Sequence, residues 1–160
     1  NIPFYPPGAD VLGIDISPAM LARAARRRGQ SLASIELQEM DVTRLGLPDA
    51  GFDAAVATFL FCVLPDDQLL PALRELGRVV KPRGAIRLLE YVRPRRPGSR
   101  FVARLWEPWM AWAYGASLDR DIERRIADAG LELTDARFVV RDLVKLIEAR
   151  VPGPSGSAPR

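Results

Sequence analysis

Short apolar runs alternate with polar, helix-patterned stretches along the first ninety residues. Val11-Leu12-Gly13-Ile14-Asp15 is an apolar run closed by a carboxylate, the pattern of a buried parallel strand. Ser17 then stands where a helix N-cap belongs, with Pro18 at the first helical position. The predicted helix passes Met20, Leu21 and Ala25. It reaches Arg26, Arg27 and Arg28, whose charge suits the negative end of a helix dipole, and Gly29 is expected to stop it. Ile35-Glu36-Leu37-Gln38-Glu39-Met40-Asp41 alternates at period two, a second strand ending in a carboxylate.

After a turn at residues 47–51, Phe52-Asp53-Ala54-Ala55-Val56-Ala57-Thr58 reads as a third strand, apolar enough for burial on both faces. Asp66 or Asp67 caps a helix through Leu73, Leu76 and Val80, with Pro71 poised to kink its first turns. Lys81-Pro82-Arg83-Gly84 turns the chain into a fourth strand over residues 85–91. Strand and helix in alternation specify an α/β fold with a doubly wound sheet. The pattern then changes. Residues 93–104 are basic and proline-broken, and residues 101–114 are aromatic and helix-patterned. A helix over 119–129 ends at Gly130, and two strand-like runs, 131–140 and 143–151, are joined too closely to be anything but antiparallel. Residues 1–151 thus form one domain, with 93–117 a substrate lid or membrane-facing insertion. Residues 152–160 are a proline, glycine and serine tail expected to be disordered.

Composition narrows the chemistry. With 160 residues, 48% of them apolar, the chain can bury a core. Its net charge of +3 is too small to argue for nucleic acid, and no nucleic-acid partner is expected. No histidine is present, which removes imidazole bases and histidine metal sites, and no metal is expected. The single cysteine, Cys62, excludes an internal disulfide and fits a reducing, cytoplasmic setting; it reads as a small buried hydrophobe. No apolar run reaches the roughly 18 residues of a membrane-spanning helix. The opening Asn1-Ile2-Pro3-Phe4-Tyr5-Pro6-Pro7-Gly8 has no signal-peptide pattern. It reads as the interior of a longer gene product.

Ligands of open α/β sheets bind at the carboxyl ends of the strands. Asp15 and Asp41 end successive strands there. One carboxylate can take the ribose hydroxyls of an adenosine, and the other an adenine amino group. Met20, in the first turn of the intervening helix, can lay its thioether on the adenine face. Taken singly, Asp15 is also a solvated strand end and Met20 a core residue; the order and spacing favour the nucleoside reading.

Residues 11–21 resemble the ribose-binding segment of class I S-adenosylmethionine-dependent methyltransferases, of the ubiquinone/menaquinone-biosynthesis type. Phe52-Asp53 through Val56, then Val63-Leu64-Pro65-Asp66, is similar to that family's fourth-strand segment. Residues 73–84 resemble its following helix and fifth-strand start. The resemblance covers residues 1–92 well and the rest loosely. It implies a Rossmann-like methyltransferase sheet with a C-terminal antiparallel strand pair, and S-adenosyl-L-methionine as cofactor. It implies a cofactor set of Asp15 on the ribose, with Ile16 and Met20 beside it, and Asp41 on the adenine amino group. The Val42 backbone would meet the ring nitrogen, and Ala57 and Thr58 the methionine part. Asn1, then Phe4-Tyr5-Pro6, resembles a membrane-associated subgroup that includes phosphatidylethanolamine N-methyltransferases and thiol methyltransferases.

Three departures stand out. The family's first strand and glycine-rich loop do not precede Asn1. Arg83 replaces a glycine common in that turn, and Tyr91 stands where the subgroup often has histidine. In this family the first strand lies between the strands ending at Asp15 and Thr58, so the chain without it is expected to expose two strand edges and bind cofactor poorly.

Trp106, Trp109 and Trp112 recur every three residues beside Phe101 and Tyr114, preceded by Arg93, Arg95, Arg96, Arg100 and Arg104. Two readings stand: a lid packed on the sheet, or a lid that also meets anionic lipid as a peripheral membrane contact. Trp106, Trp109 and Tyr114 are the candidate substrate contacts, and the partner is a small-molecule or lipid substrate. Methyl transfer is an in-line displacement that chiefly needs positioning. If a base is used, Glu90, Tyr91 and Asp119 are the candidates, with strand-end solvation and core packing as the alternatives for the first two. Two rival functions remain. A nicotinamide-dependent Rossmann oxidoreductase would also carry an acidic residue after the second strand. An inactive, truncated paralogue would act as a binding protein.

Overall fold

Ser17 opens the first helix as the sequence predicts: its hydroxyl oxygen accepts the Met20 amide at 3.4 Å, and Pro18 takes the first helical position. The computed structural model describes residues 1–92 and 121–153. Two compact units divide the chain, Asn1–Gly46 and Leu47–Arg160. The first holds β1 (Asp10–Asp15), α1 (Pro18–Arg27) and β2 (Ser34–Glu39), with β1 and β2 parallel from Asp10↔Ser34 to Asp15↔Glu39. Gly13 faces Leu37 in that register, and a Cβ there would lie 2.8 Å from Leu37 Cδ2, so the glycine permits the close packing.

Two expectations for this unit change. Gly29 does not terminate the helix in a left-handed conformation. Instead α1 tightens into a 3-10 turn, Arg28–Gln30, closed by the Ser31 amide on the Arg28 carbonyl at 3.0 Å. The second strand stops at Glu39 rather than running to Asp41. One further bond, from the Met40 amide to the Asp15 carbonyl at 3.1 Å, carries the chain past the ladder.

The second unit holds β3 (Phe52–Thr58), α2 (Asp66–Val79), β4 (Val80–Tyr91), α3 (Ile122–Asp128), β5 (Glu132–Val140) and β6 (Val144–Arg150). Its sheet has the order β3-β4-β6-β5. The β3–β4 pair is parallel, whereas β6 runs antiparallel to both β4 and β5, as the short connection between the last two strands requires. Leu69 and Leu73 of α2, Ile126 of α3, Ile86 and Leu88 of β4, and Ile147 of β6 are buried together in this unit's core. Asp121 caps α3 by accepting the Arg124 amide at 3.2 Å, and Gly130, with φ +78°, ends the turn beyond it.

Three sequence expectations are corrected here. β3 is not covered on both faces: it is the edge of its sheet, and Ala54 and Val56 are exposed, the latter at 50%. Residues 81–84 do not precede the fourth strand but lie inside it. β4 starts at Val80, and its pairing with β3 jumps from Phe52↔Val80 to Ala54↔Ala85, with Arg83 at φ +66°. The N-cap of α2 is Pro65, with Asp66 and Asp67 in the first turn. Asp66 pairs with Arg125 of α3 at 2.6 Å. Pro71 lies within α2, which continues to Val79. The predicted lid over 93–117, with Trp106, Trp109 and Tyr114, lies outside the described residues, as do Asp119 and residues 154–160 of the tail.

Candidate cofactor site

The first unit brings the two sequence-predicted aspartates to the same end of neighbouring parallel strands. Asp15 closes β1, and Asp41 follows β2 two residues beyond Glu39, which pairs with Asp15. Each aspartate is pinned by one oxygen. Asp15 Oδ1 accepts the Ser17 amide at 2.8 Å. Asp41 Oδ1 accepts both the amide and the hydroxyl of Thr43, each at 2.8 Å. These Asx turns fix the carboxylates, and Oδ2 of each makes no hydrogen bond to another described residue. A carboxylate held by one oxygen and open at the other suits a diol or an amino group, the donors an adenosine offers.

The remaining predicted residues of this unit fall around that end. Ile16 is 68% exposed and Met20 47% exposed, available to a flat apolar ligand rather than spent on the core. Arg23 Nη1 lies 3.9 Å from the Met20 sulfur. The Val42 side chain is buried, while its amide donates to no other described residue. The pair of carboxylate acceptors assembled here is a chemical fit for the donors of the nucleoside half of S-adenosylmethionine.

In the second unit, Ala57 is buried and Thr58 half-buried at the end of β3. Phe59 follows with φ +55°, an uncommon conformation for a bulky residue. Its amide donates to the Leu89 carbonyl at 2.8 Å, and its ring stacks on Tyr91 with centroids 4.4 Å apart. Glu90 is fully buried. Its Oε1 accepts the Leu60 and Phe61 amides at 3.1 and 3.0 Å, and Oε2 the Cys62 amide at 3.1 Å. Burial pushes this carboxyl above its usual range, against the pull of the three amides and the nearby Cys62 thiol. To act as a general base, Glu90 would have to release one of these bonds and gain access to a substrate. Cys62 is buried, donates weakly to the Phe59 carbonyl at 3.4 Å, and has its thiol pushed up to about 12 by burial and by Glu90. It is an inert thiol, as its sequence context suggests. Sequence reading misses the carboxylate–amide cluster, because its partners lie some thirty residues apart and three of them are main-chain groups.

Parallel β–α–β connections in each unit, with an antiparallel strand pair closing the second, make this a Rossmann-like α/β protein. Comparison with known proteins gives its family. A methyltransferase domain family matches residues 3–84. Demethylmenaquinone methyltransferase of Thermus thermophilus is 36% identical over 100 residues, covering 62% of this chain and 44% of that protein. Phosphatidylethanolamine N-methyltransferase of Cereibacter sphaeroides is 32% identical over 140 residues, covering 84% of this chain and 66% of that protein. The crystal structure of a SAM-dependent methyltransferase from Methanosarcina mazei superimposes with a TM-score of 0.72 at 21% identity, covering 92% of this chain and 84% of that one. The chain belongs to the methyltransferase domain family, and it spans less than two thirds of the length of these two sequence relatives.

Proposed function

We propose that the protein is an S-adenosylmethionine-dependent methyltransferase acting on a lipid-like or small acceptor: a phospholipid amine, a quinone ring or a thiol. The observation that carries this reading is the pair of half-pinned carboxylates, Asp15 and Asp41, at the ends of β1 and β2. Asp15 would hold the ribose hydroxyls and Asp41 the adenine amino group, with Met20 against the ring. Ala57 and Thr58 would border the methionine end. The bound cofactor supplies an electrophilic methyl group on a sulfonium centre. The chain's own part is to hold that group and the acceptor in line, which needs no histidine. Tyr91 is the accessible candidate for proton transfer, being half-buried at the end of β4.

The names of the two relatives, one acting on a menaquinone precursor and one on phosphatidylethanolamine, support an apolar acceptor. The arginine-rich and tryptophan-rich sequence of residues 93–114 supports peripheral contact with anionic lipid on the cytoplasmic side. No helix among the described residues is long and apolar enough to cross a membrane. The test is titration with S-adenosylhomocysteine in a calorimeter, followed by labelled methyl transfer to a lipid extract with mass-spectrometric product analysis. With the chain extended upstream by the family's first strand and glycine-rich loop, saturable binding and a labelled lipid are expected. Binding of a nicotinamide dinucleotide in its place would overturn the reading.

A further inference from the structure

A carboxylate with no exposed surface must be held by something, and Glu90 is held chiefly by main-chain donors. Three consecutive amides, Leu60, Phe61 and Cys62, turn toward it, which gives the segment after β3 the form of an anion nest. The nest's anion is built into the neighbouring strand. Glu90 precedes Tyr91, which stacks on Phe59, and the Phe59 amide bonds to the Leu89 carbonyl. Three successive residues at the end of β4 therefore grip four successive residues beyond β3. Within this grip Phe59 holds a left-handed conformation, φ +55°, directly after the Ala57–Thr58 strand end.

We infer that Glu90 is a positioning residue for the cofactor's amino-acid end: its carboxylate binds residues 60–62 and thereby shapes the backbone at Thr58 and Phe59. This rests on the methyltransferase reading given above, in which that strand end borders the methionine part. The Glu90 side chain itself has no exposed surface to offer a substrate. A neutral amide cannot replace it, because three donors need acceptors and the Glu90→Gln side chain would present its own N–H group to one of them.

Two ligands separate this role from general support of the fold. S-adenosylhomocysteine carries both the adenosine and the amino-acid end, whereas 5′-methylthioadenosine carries the adenosine end alone. In the chain extended upstream by the family's first strand and glycine-rich loop, Glu90→Gln should weaken S-adenosylhomocysteine binding by about tenfold, the effect of one buried amide left without its acceptor. Affinity for 5′-methylthioadenosine should stay within about twofold. Equal weakening for both ligands, or no weakening for either, would overturn the assignment. A second measurement needs no variant. In the same extended protein, unaltered at Glu90, hydrogen exchange at the Leu60, Phe61 and Cys62 amides should slow further with S-adenosylhomocysteine and not with 5′-methylthioadenosine. An identical response to both ligands sinks the proposal. Failure of that extended protein, unaltered at Glu90, to bind either ligand would instead count against the methyltransferase reading on which it rests.

Discussion

The ring of Tyr91 lies 4.4 Å from that of Phe59, with the planes 17° apart, so the last residue of β4 is fastened to the first residue beyond β3. The stack compensates a backbone that Phe59 would not otherwise choose, at φ +55°. Removing the Tyr91 ring in Tyr91→Leu should therefore lower unfolding stability by about 1 kcal/mol or more. Tyr91→Phe keeps the ring and should change stability by less than about 0.5 kcal/mol. Urea denaturation of the two variants measures the difference. If Tyr91→Phe folds as expected yet loses methyl transfer, the hydroxyl takes part in seating the acceptor or handling its proton.

Asp15 and Asp41 are each predicted to matter through an oxygen that the fold leaves open. Asp15→Ala and Asp41→Ala should each weaken S-adenosylhomocysteine binding by about ten- to a hundredfold, the range for a lost hydrogen bond to a charged group. Calorimetric titration is the measurement. Wild-type affinity in both variants would remove the nucleoside rim from the site.

Arg83 and its neighbour respond in opposite directions. Arg83 sits at φ +66°, and its amide donates to the Val151 carbonyl at 2.9 Å. Arg83→Gly should stabilise the chain by up to about 1 kcal/mol, since glycine adopts that conformation without steric penalty. Gly84→Ala should cost about 2 kcal/mol or more, because the new Cβ would lie 2.5 Å from Val80 Cγ1 and 2.7 Å from the Asp53 carbonyl oxygen. Thermal melts of the pair check both signs.

The pH dependence of stability carries a signature of Glu90. Its carboxyl is raised above the ordinary 4.5 when folded, so the folded chain keeps this proton to higher pH than the unfolded chain does. The group's contribution is fully present below the unfolded value and is lost as pH rises through the folded one. Against Glu90→Gln, which has no such titration, wild-type stability should decline upward from about pH 4.5. Denaturation curves of both proteins across that range read the slope. A difference that grows with pH would reverse the assignment.

Much of this was legible because local chemistry acts over a few residues. Ser17 and Pro18 announce a helix start whatever surrounds them, and the acidic ends of the first two strands mark a ligand rim through chain order alone. The errors arise where tertiary context overrides the local pattern. Apolar Ala54 and Val56 read as a central strand, yet exposure is decided by which strands pair. The Lys81-Pro82-Arg83-Gly84 segment carries every turn signal, yet β6 is followed by Val151, which bonds it and keeps it within β4. Gly29 is punctuation by type, but a 3-10 turn satisfies the same carbonyls first. Glu90 is legible as a residue near the site. Its partners are not, since main-chain donors leave no trace in residue identity.

Because neutral amide dipoles, and no side-chain cation among the described residues, hold the Glu90 charge, ionic strength has little purchase on the loop after β3. Exposed pairs such as Arg78–Asp49 and Arg125–Asp66 should loosen in concentrated salt. The grip of Glu90 on Leu60, Phe61 and Cys62 should persist unchanged, leaving that part of the molecule indifferent to the saltiness of its surroundings.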